Sequence, residues 1–312
     1  MEFNNSRLQQ DLTCPRSFKH RYLAGVISRK RPTYFVFGEA IHKFIEFYYR
    51  TADPALALKQ VENVFNAVDK APLNREETHD LECDKSAAMG IAEAYPDTYK
   101  QDFDQYKKFL TEQKFSIVLP TTVHKYFGTL DALLMDQAGG WWILETKTAA
   151  AQALNDDYFE RVKIDSQVAG YMHGAKSILG FYPRGVVYNV IKKPSIRLKG
   201  GESLQAFQKR VKLEYTQFAK EKQYFQRQEL LVATHRLDRW AAETAHRMNF
   251  LADRIEQIKR LTDVEEKKKL AGILFPMNTG ACRANFSTCQ FMNACVTDTY
   301  NKLLYEKDTS GK

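Results

Sequence analysis

The chain lacks a membrane-spanning segment by composition: none of its 312 residues falls in an apolar run approaching ~18 residues. Its start, MEFNNSRLQQD, has neither the basic nor the apolar region of a signal peptide. These absences predict a protein with no membrane partner that stays where it is made, in the cytoplasm. Cysteine is scarce and odd in number, five in all, which excludes a disulfide framework and turns attention to metal ligation. No single sign of charge dominates, with 46 Lys+Arg against 38 Asp+Glu. The resulting +8 suits a polyanionic partner without requiring one. A hydrophobic content of 44% and a charged content of 27% indicate an ordered, soluble chain, long enough for one elaborated domain or two modest ones.

The chemistry concentrates in Phe127–Lys147, FGTLDALLMDQAGGWWILETK. Two apolar-rich strands, roughly 125–136 and 141–147, flank a Gly139-Gly140 turn, the pattern of a hairpin. Residues two apart on a strand share a face, so Glu145 and Lys147 point one way while Asp131 arrives from the neighbouring strand. Two carboxylates and an ammonium suit a magnesium- or manganese-dependent phosphodiesterase. The oxygens bind a hard divalent ion, the ion activates water and offsets charge at the phosphate, and the lysine orients the water or stabilises the developing charge. Taken alone, the same three residues also read as a cross-strand ion pair at the end of a solvated hairpin.

Elsewhere the pattern is mostly helical. Residues 6–24 predict a short helix, a turn at Cys14-Pro15 and a second helix. FGEAIHKFIEFYYR, 37–50, predicts an aromatic amphipathic helix with His42 and Glu46 on one face. His42 there is either an interface histidine or a ligand shifting preference towards manganese. The interval 51–114 predicts a helical insertion or cap over a cleft, polar at 71–86 and helical again near 87–95 and 102–110. A strand at 115–124 precedes the hairpin, a helix at 156–180 places Gln167 and Tyr171 on one side, and Gly185–Ile191 is a buried strand. It feeds a basic turn from Lys192 to Arg197 suited to a DNA backbone. Segments 202–228 and 239–259 predict long helices, for a core order of helix, three strands, helix, strand. Near the end, Cys282, Cys289 and Cys295 are separated by six and then five residues, and Cys14 supplies a fourth thiol if the termini meet. Four sulfurs are compatible with zinc or a four-iron cluster, though neither the short zinc spacing nor the ferredoxin spacing is present.

In order along the chain, CPRSFKHRY at 14–22, GEAIH at 38–42, GTLDAL at 128–133, ETK at 145–147, QVAGY at 167–171, YNVIKKPSIR at 188–197 and FPMNTGAC with the cysteines at 275–295 resemble the RecB-like branch of the PD-(D/E)XK nuclease superfamily. Cas4-like and phage-encoded iron–sulfur exonucleases are the nearest in pattern. The resemblance implies an α/β restriction-endonuclease-like core with a central mixed sheet, a helical cap and an iron–sulfur region. It predicts one elaborated nuclease domain over 1–312, with a cap at 51–114, core sheet and catalytic motifs at 115–197, C-terminal helices at 198–274, and Cys14 joined to 275–295.

The resemblance also implies that His42, Asp131, Glu145 and the Thr146 carbonyl hold Mg2+ or Mn2+, that Lys147 assists attack, and that Gln167 and Tyr171 complete the catalytic set. Cys14, Cys282, Cys289 and Cys295 would carry a structural [4Fe–4S] cluster, with zinc as the alternative. The chain departs from the family pattern in GTLD for a literal PD and in a longer gap from Cys282 to Cys289. The implied activity is a DNA exonuclease on single-stranded or free ends, in recombination, repair or adaptive defence. As an encoded phage protein it would work in the host cytoplasm, as a monomer or a ring. A structure-specific endonuclease, an RNA-processing nuclease and a non-enzymatic DNA-binding or assembly protein are the rival readings.

Overall fold

The computed structural model describes residues 1–30, 32–150, 157–286 and 288–308, with the backbone alone at 284–286. In chain order the elements are β1 (Glu2–Phe3), α1 (Asn5–Thr13), α2 (Pro15–Phe18), a π-helical turn (Lys19–Leu23), β2 (Val26–Ser28), α3 (Thr33–Thr51), α4 (Pro54–Asn66), α5 (Arg75–Tyr99) and α6 (Asp102–Gln105). Then come β3 (Tyr106–Val118), β4 (Lys125–Asp136), β5 (Trp141–Ala149), α7 (Tyr158–Val162), α8 (Ser166–Leu179), β6 (Gly185–Lys192), α9 (Leu204–Gln217) and β7 (Phe225–Leu230). The chain ends with α10 (Thr234–Arg260), α11 (Val264–Leu274), a 3-10 helix (Thr279–Phe286), α12 (Met292–Thr297) and β8 (Tyr305–Lys307). Two compact units result: Met1–Arg31 with Ser116–Phe127 and Asp238–Lys312, and Pro32–Phe115 with Gly128–Leu237.

The second unit contains the mixed sheet, in the order β4-β5-β6-β7 with β3 also on β4. β4 and β5 are antiparallel with Ala132 opposite Leu144, β5 and β6 are parallel with Glu145 beside Tyr188, and β6 and β7 are antiparallel with Asn189 opposite Arg227. The parallel pair needs a crossover, which α7 and α8 provide. β6 is buried along nearly its whole length, as a central strand covered on both faces must be, and its GVVYNVI run supplies the apolar side chains for that. The hairpin turn is held by Asp136, whose carboxylate accepts from Gly140 N–H at 2.7 Å while Gly139 takes a φ of +84°.

Helices α3, α4, α5 and α9 form the apolar layer of this unit. Val36, Phe37, Ile41, Phe44 and Tyr48 of α3 join Val61, Phe65, Ile91, Tyr95, Val211 and Tyr215 in one core. α5 starts at a capping box between Asn74 and Glu77. It approaches α9 so closely at Gly90 that a β-carbon there would lie 2.6 Å from the Gln208 carbonyl oxygen.

In the first unit, Glu2 and Phe3 pair in parallel with Lys125 and Tyr126, and β2 pairs with β8. Val26, Phe291, Ala294 and Tyr305 make a small core under that ribbon. The two ends of the chain meet here: Arg16 N–H donates to the Pro276 carbonyl at 3.1 Å, and the Arg16 guanidinium donates to those of Phe275 and Gly272 at 2.8 and 3.0 Å.

Several element boundaries differ from the sequence reading. The helical interval expected to 114 gives way to β3 at Tyr106, because Tyr106 and Phe109 pack beside Phe103 as part of a strand paired with β4. Residues 75–86 of the expected polar interval are instead the first half of α5, nucleated by its capping box. The helix expected at 156–180 is two helices, since Asp165 restarts the chain as an N-cap accepting from Gln167 N–H; residue 156 lies outside the described residues. The helix expected at 202–228 ends at Gln217, and the last residues of that span enter β7 instead, through Gln223 at a φ of +50°, to pair with β6.

Candidate active site

β5 presents its alternation at one spot. Glu145 and Lys147 face one side, while Thr146, wholly buried, faces the other. One step beyond the Ala132–Leu144 pair lie Asp131 and Glu145, so the antiparallel register brings the two carboxylates together. Asp131 Oδ2 accepts from the Thr146 backbone N–H at 2.8 Å, which fixes its carboxylate against the strand that carries Glu145 and Lys147. From α3, His42 Nδ1 lies 3.3 Å from the same oxygen. The Lys147 ammonium pairs with Glu145 Oε1 and donates to Gln167 Oε1 at 2.7 Å. Gln167 Nε2 donates in turn to the Tyr171 hydroxyl at 2.7 Å, along the i, i+4 face of α8. The six expected side chains thus form one connected cluster.

Burial dominates its electrostatics. It pushes the Glu145 carboxyl up to about 7, against the pull of Lys147. Burial works the same way on Asp131, but His42 and the Thr146 N–H outweigh it and hold that carboxyl below its usual range. His42 is pushed down by burial and raised overall by Asp131, and Lys147 is likewise raised overall by Glu145.

Glu145 Oε2 is buried and has no hydrogen-bond partner. A buried carboxylate oxygen left bare costs free energy unless something positive meets it. Together with Asp131 and an imidazole it makes a donor set of the kind that holds a hard divalent ion, so these residues fit magnesium or manganese. Among the described residues, no three His, Cys, Asp or Glu side chains are drawn into a closed metal cage. Within the cluster each carboxylate is paired with a cationic side chain of the protein itself, Asp131 with His42 and Glu145 with Lys147.

Sequence reasoning missed the support beneath the cluster. Asn189 Nδ2 donates to Thr146 Oγ1 at 3.3 Å and to the Tyr95 hydroxyl at 3.2 Å, and its carbonyl oxygen accepts from Arg227 Nε at 3.1 Å. Arg227 forks onto Asp102 at 2.9 and 2.8 Å and lies over the Tyr99 ring at 3.5 Å. A lone Asn inside an otherwise apolar strand was the available signal. Glu112 of β3 was also missed: it sits at a φ of +50°, its carboxyl is raised by burial and lowered by Lys43, and it interacts with Asp131 and His42. Tyr158 and Tyr188, hydrogen-bonded to each other, lie within the fields of Lys147 and Glu145 respectively.

A model of the PD-(D/E)XK nuclease superfamily matches residues 2–296. The chain belongs to that superfamily. As a PD-(D/E)XK protein it is a nuclease by descent, and its mixed sheet with flanking helices is the core expected of the group. No protein of curated function matches the chain. Among solved structures, one titled "Crystal structure of SSO0001" aligns over 77% of this chain and 83% of its own, at 12% identity and a TM-score of 0.26.

In the first unit of this PD-(D/E)XK protein, Cys14, Cys282, Cys289 and Cys295 share a neighbourhood. Burial raises the Cys289 and Cys295 thiols, and Cys14 and Cys282 act on both. Cys14 Sγ accepts from Asn278 N–H at 3.5 Å, Cys289 N–H donates to the Cys282 carbonyl at 2.9 Å, and Cys295 Sγ is 3.4 Å from His20 Nε2. Four thiols in one region are the donor type that zinc or an iron–sulfur cluster uses, although among the described residues no three of them are drawn together as a metal site. Cys83 stands apart on α5, 3.6 Å from His79. On α9, Arg210 is committed to Glu202 at 2.8 and 2.7 Å.

Proposed function

We propose that the chain is a metal-dependent DNA exonuclease acting on free, single-stranded ends. The observation that carries the metal-dependent nuclease reading is Glu145 Oε2, buried without a partner beside Asp131 in a chain of a nuclease superfamily; action on free single-stranded DNA ends follows from the family resemblance. In this reading His42, Asp131, Glu145 and the Thr146 carbonyl hold Mg2+ or Mn2+. Such an ion, when bound, activates water and offsets charge on the phosphate.

The unpartnered Glu145 Oε2 would meet an ion held there, while Lys147, paired with Glu145 Oε1 and anchored by Gln167 Oε1, directs its ammonium at the phosphate, where charge develops. Gln167 and Tyr171 fix the direction of that ammonium. His42 and the Thr146 N–H keep Asp131 ionised. Cleavage leaves a 5′-phosphate on one product and a 3′-hydroxyl on the other.

In the first unit, the four cysteines hold a [4Fe–4S] cluster, or zinc, that ties the two ends of the chain together. The protein acts in the cytoplasm, in recombination, repair or adaptive defence. Cleavage assays on matched DNA and RNA oligonucleotides with Mn2+, Mg2+ or EDTA test the reading: DNA is cut with either metal and left intact in EDTA, whereas cleavage of RNA alone overturns the DNA assignment.

A further inference from the structure

The face of α3 that presents His42 continues towards the start of the helix. Positions four and seven before His42 are Gly38 and Phe35, which share its face. Phe35 and the adjacent Tyr34 are 55% and 52% exposed, and their ring centroids lie 4.4 Å apart. The next two residues, Val36 and Phe37, are buried in the core, so the helix is firmly docked where it holds these rings in solvent.

Between the rings and His42, Gly38 leaves the helix surface bare. A β-carbon there would meet only Thr148 Oγ1, at an ordinary 3.5 Å. Packing therefore does not call for glycine, although glycine inside a helix is less stable than alanine. Basic charge lies beside the rings. Lys193 Nζ is 5.9 Å from the Tyr34 ring and 4.7 Å from that of Phe37, and donates to the Tyr34 carbonyl at 3.4 Å. Its backbone N–H donates to the Ala149 carbonyl at 2.7 Å, two residues past Lys147.

We infer that Tyr34 and Phe35 are a stacking platform for bases of the strand being cut, with Lys193 neutralising its backbone. The occupant is a single nucleic-acid strand. An aromatic platform beside a cation accepts any base by its face, and base faces are free in a single strand but covered in a duplex. Seven helical residues rise about 10 Å, roughly three stacked nucleotide steps. The platform therefore takes a base about three nucleotides from the phosphate at the Asp131–Glu145 cluster. This rests on the nuclease reading and names how that site selects its strand.

The test compares full-length wild type, the Tyr34→Ala/Phe35→Ala double variant and Phe35→Trp by fluorescence anisotropy, with labelled single-stranded and duplex oligonucleotides in Ca2+. The double variant should bind single strands at least tenfold more weakly while its duplex affinity moves less than twofold, and Phe35→Trp should keep wild-type affinity. Its melting temperature should not move, since both side chains are exposed. Unchanged single-strand binding by the double variant, or an equal loss for both substrates, overturns the platform. Mn2+-dependent cleavage by wild type is followed alongside: failure there counts against the nuclease reading, and the binding comparison still decides the platform.

Discussion

In the proposed mechanism Lys147 is the residue on which the chemistry turns. It is tied to Glu145 on its own strand and to Gln167 on α8, so its ammonium is aimed rather than free to swing. Removing it leaves Asp131, His42 and the sheet in place. Lys147→Ala should lower turnover by about 10²–10³-fold, the loss typical of one preorganised charge-stabilising group, with DNA affinity kept within a few-fold. Steady-state rates and anisotropy on the same oligonucleotide separate the two effects.

Glu145 makes a second prediction at this scale, in metal-free protein. Its folded pKa of about 7 lies above the ordinary carboxyl value, so the folded state holds this proton more tightly than the unfolded chain. The stability it contributes is whole below about pH 4.5 and is lost as pH rises through about 7, by up to roughly 3 kcal/mol. His42, also raised, loses its contribution in the same direction, whereas Asp131, lowered, acts only in the acid range. Glu145→Gln should therefore remove most, though not all, of the decline between pH 5 and 8 seen in urea denaturation in EDTA. An unchanged slope in the variant would contradict the assignment. Glu145 and Lys147 were legible in the sequence because two-residue spacing on a strand puts side chains on one face, and the Gly139-Gly140 turn brings Asp131 beside them; His42, on α3, joined them through the family resemblance. Glu112 was not legible, because its proximity depends on β3 pairing with β4.

At the scale of elements, the site is braced from beneath by β6 and β7. Asn189, Arg227 and Asp102 form a buried polar chain ending at Thr146, the residue between Glu145 and Lys147. Arg227→Met would leave the Asp102 carboxylate buried without its partner, at a cost of about 3–5 kcal/mol. The double variant Arg227→Met/Asp102→Leu should recover much of that in chemical denaturation, because no charge is then stranded. Two equal and additive losses would contradict a coupled pair. The hairpin, α3 and β6 were readable from periodicity and turn residues. β7 was not: Phe225–Leu230 continues the aromatic spacing of the helix before it, and only pairing with β6 makes it a strand. α5 was misread in its polar half because a capping box, not an apolar face, sets its start.

At the scale of the whole molecule, the chain divides into a unit that carries the carboxylate cluster and a unit in which its own two ends are joined through Arg16 and the cysteine region. Cys282, Cys289 and Cys295 stand together in the sequence, Cys14 joins them only if the termini meet, and spacing alone left zinc and iron open; the four-iron cluster came from the family resemblance. Anaerobically purified protein should contain about four iron and four sulfide per chain. Cys14→Ala should lose both and melt at lower temperature, since a centre joining distant segments stabilises the fold that holds it. Stoichiometric zinc without sulfide would assign the same thiols to zinc.

Whether Asp131, Glu145 and Lys147 form a metal-dependent exonuclease site is read from an end-labelled product ladder on linear and circular single-stranded DNA. Wild type with Mn2+ should shorten the linear strand from one end and leave the circle intact, and neither EDTA-treated wild type nor Lys147→Ala should do so at a comparable rate. Cutting of the circle, or an undiminished ladder from Lys147→Ala, would contradict that assignment.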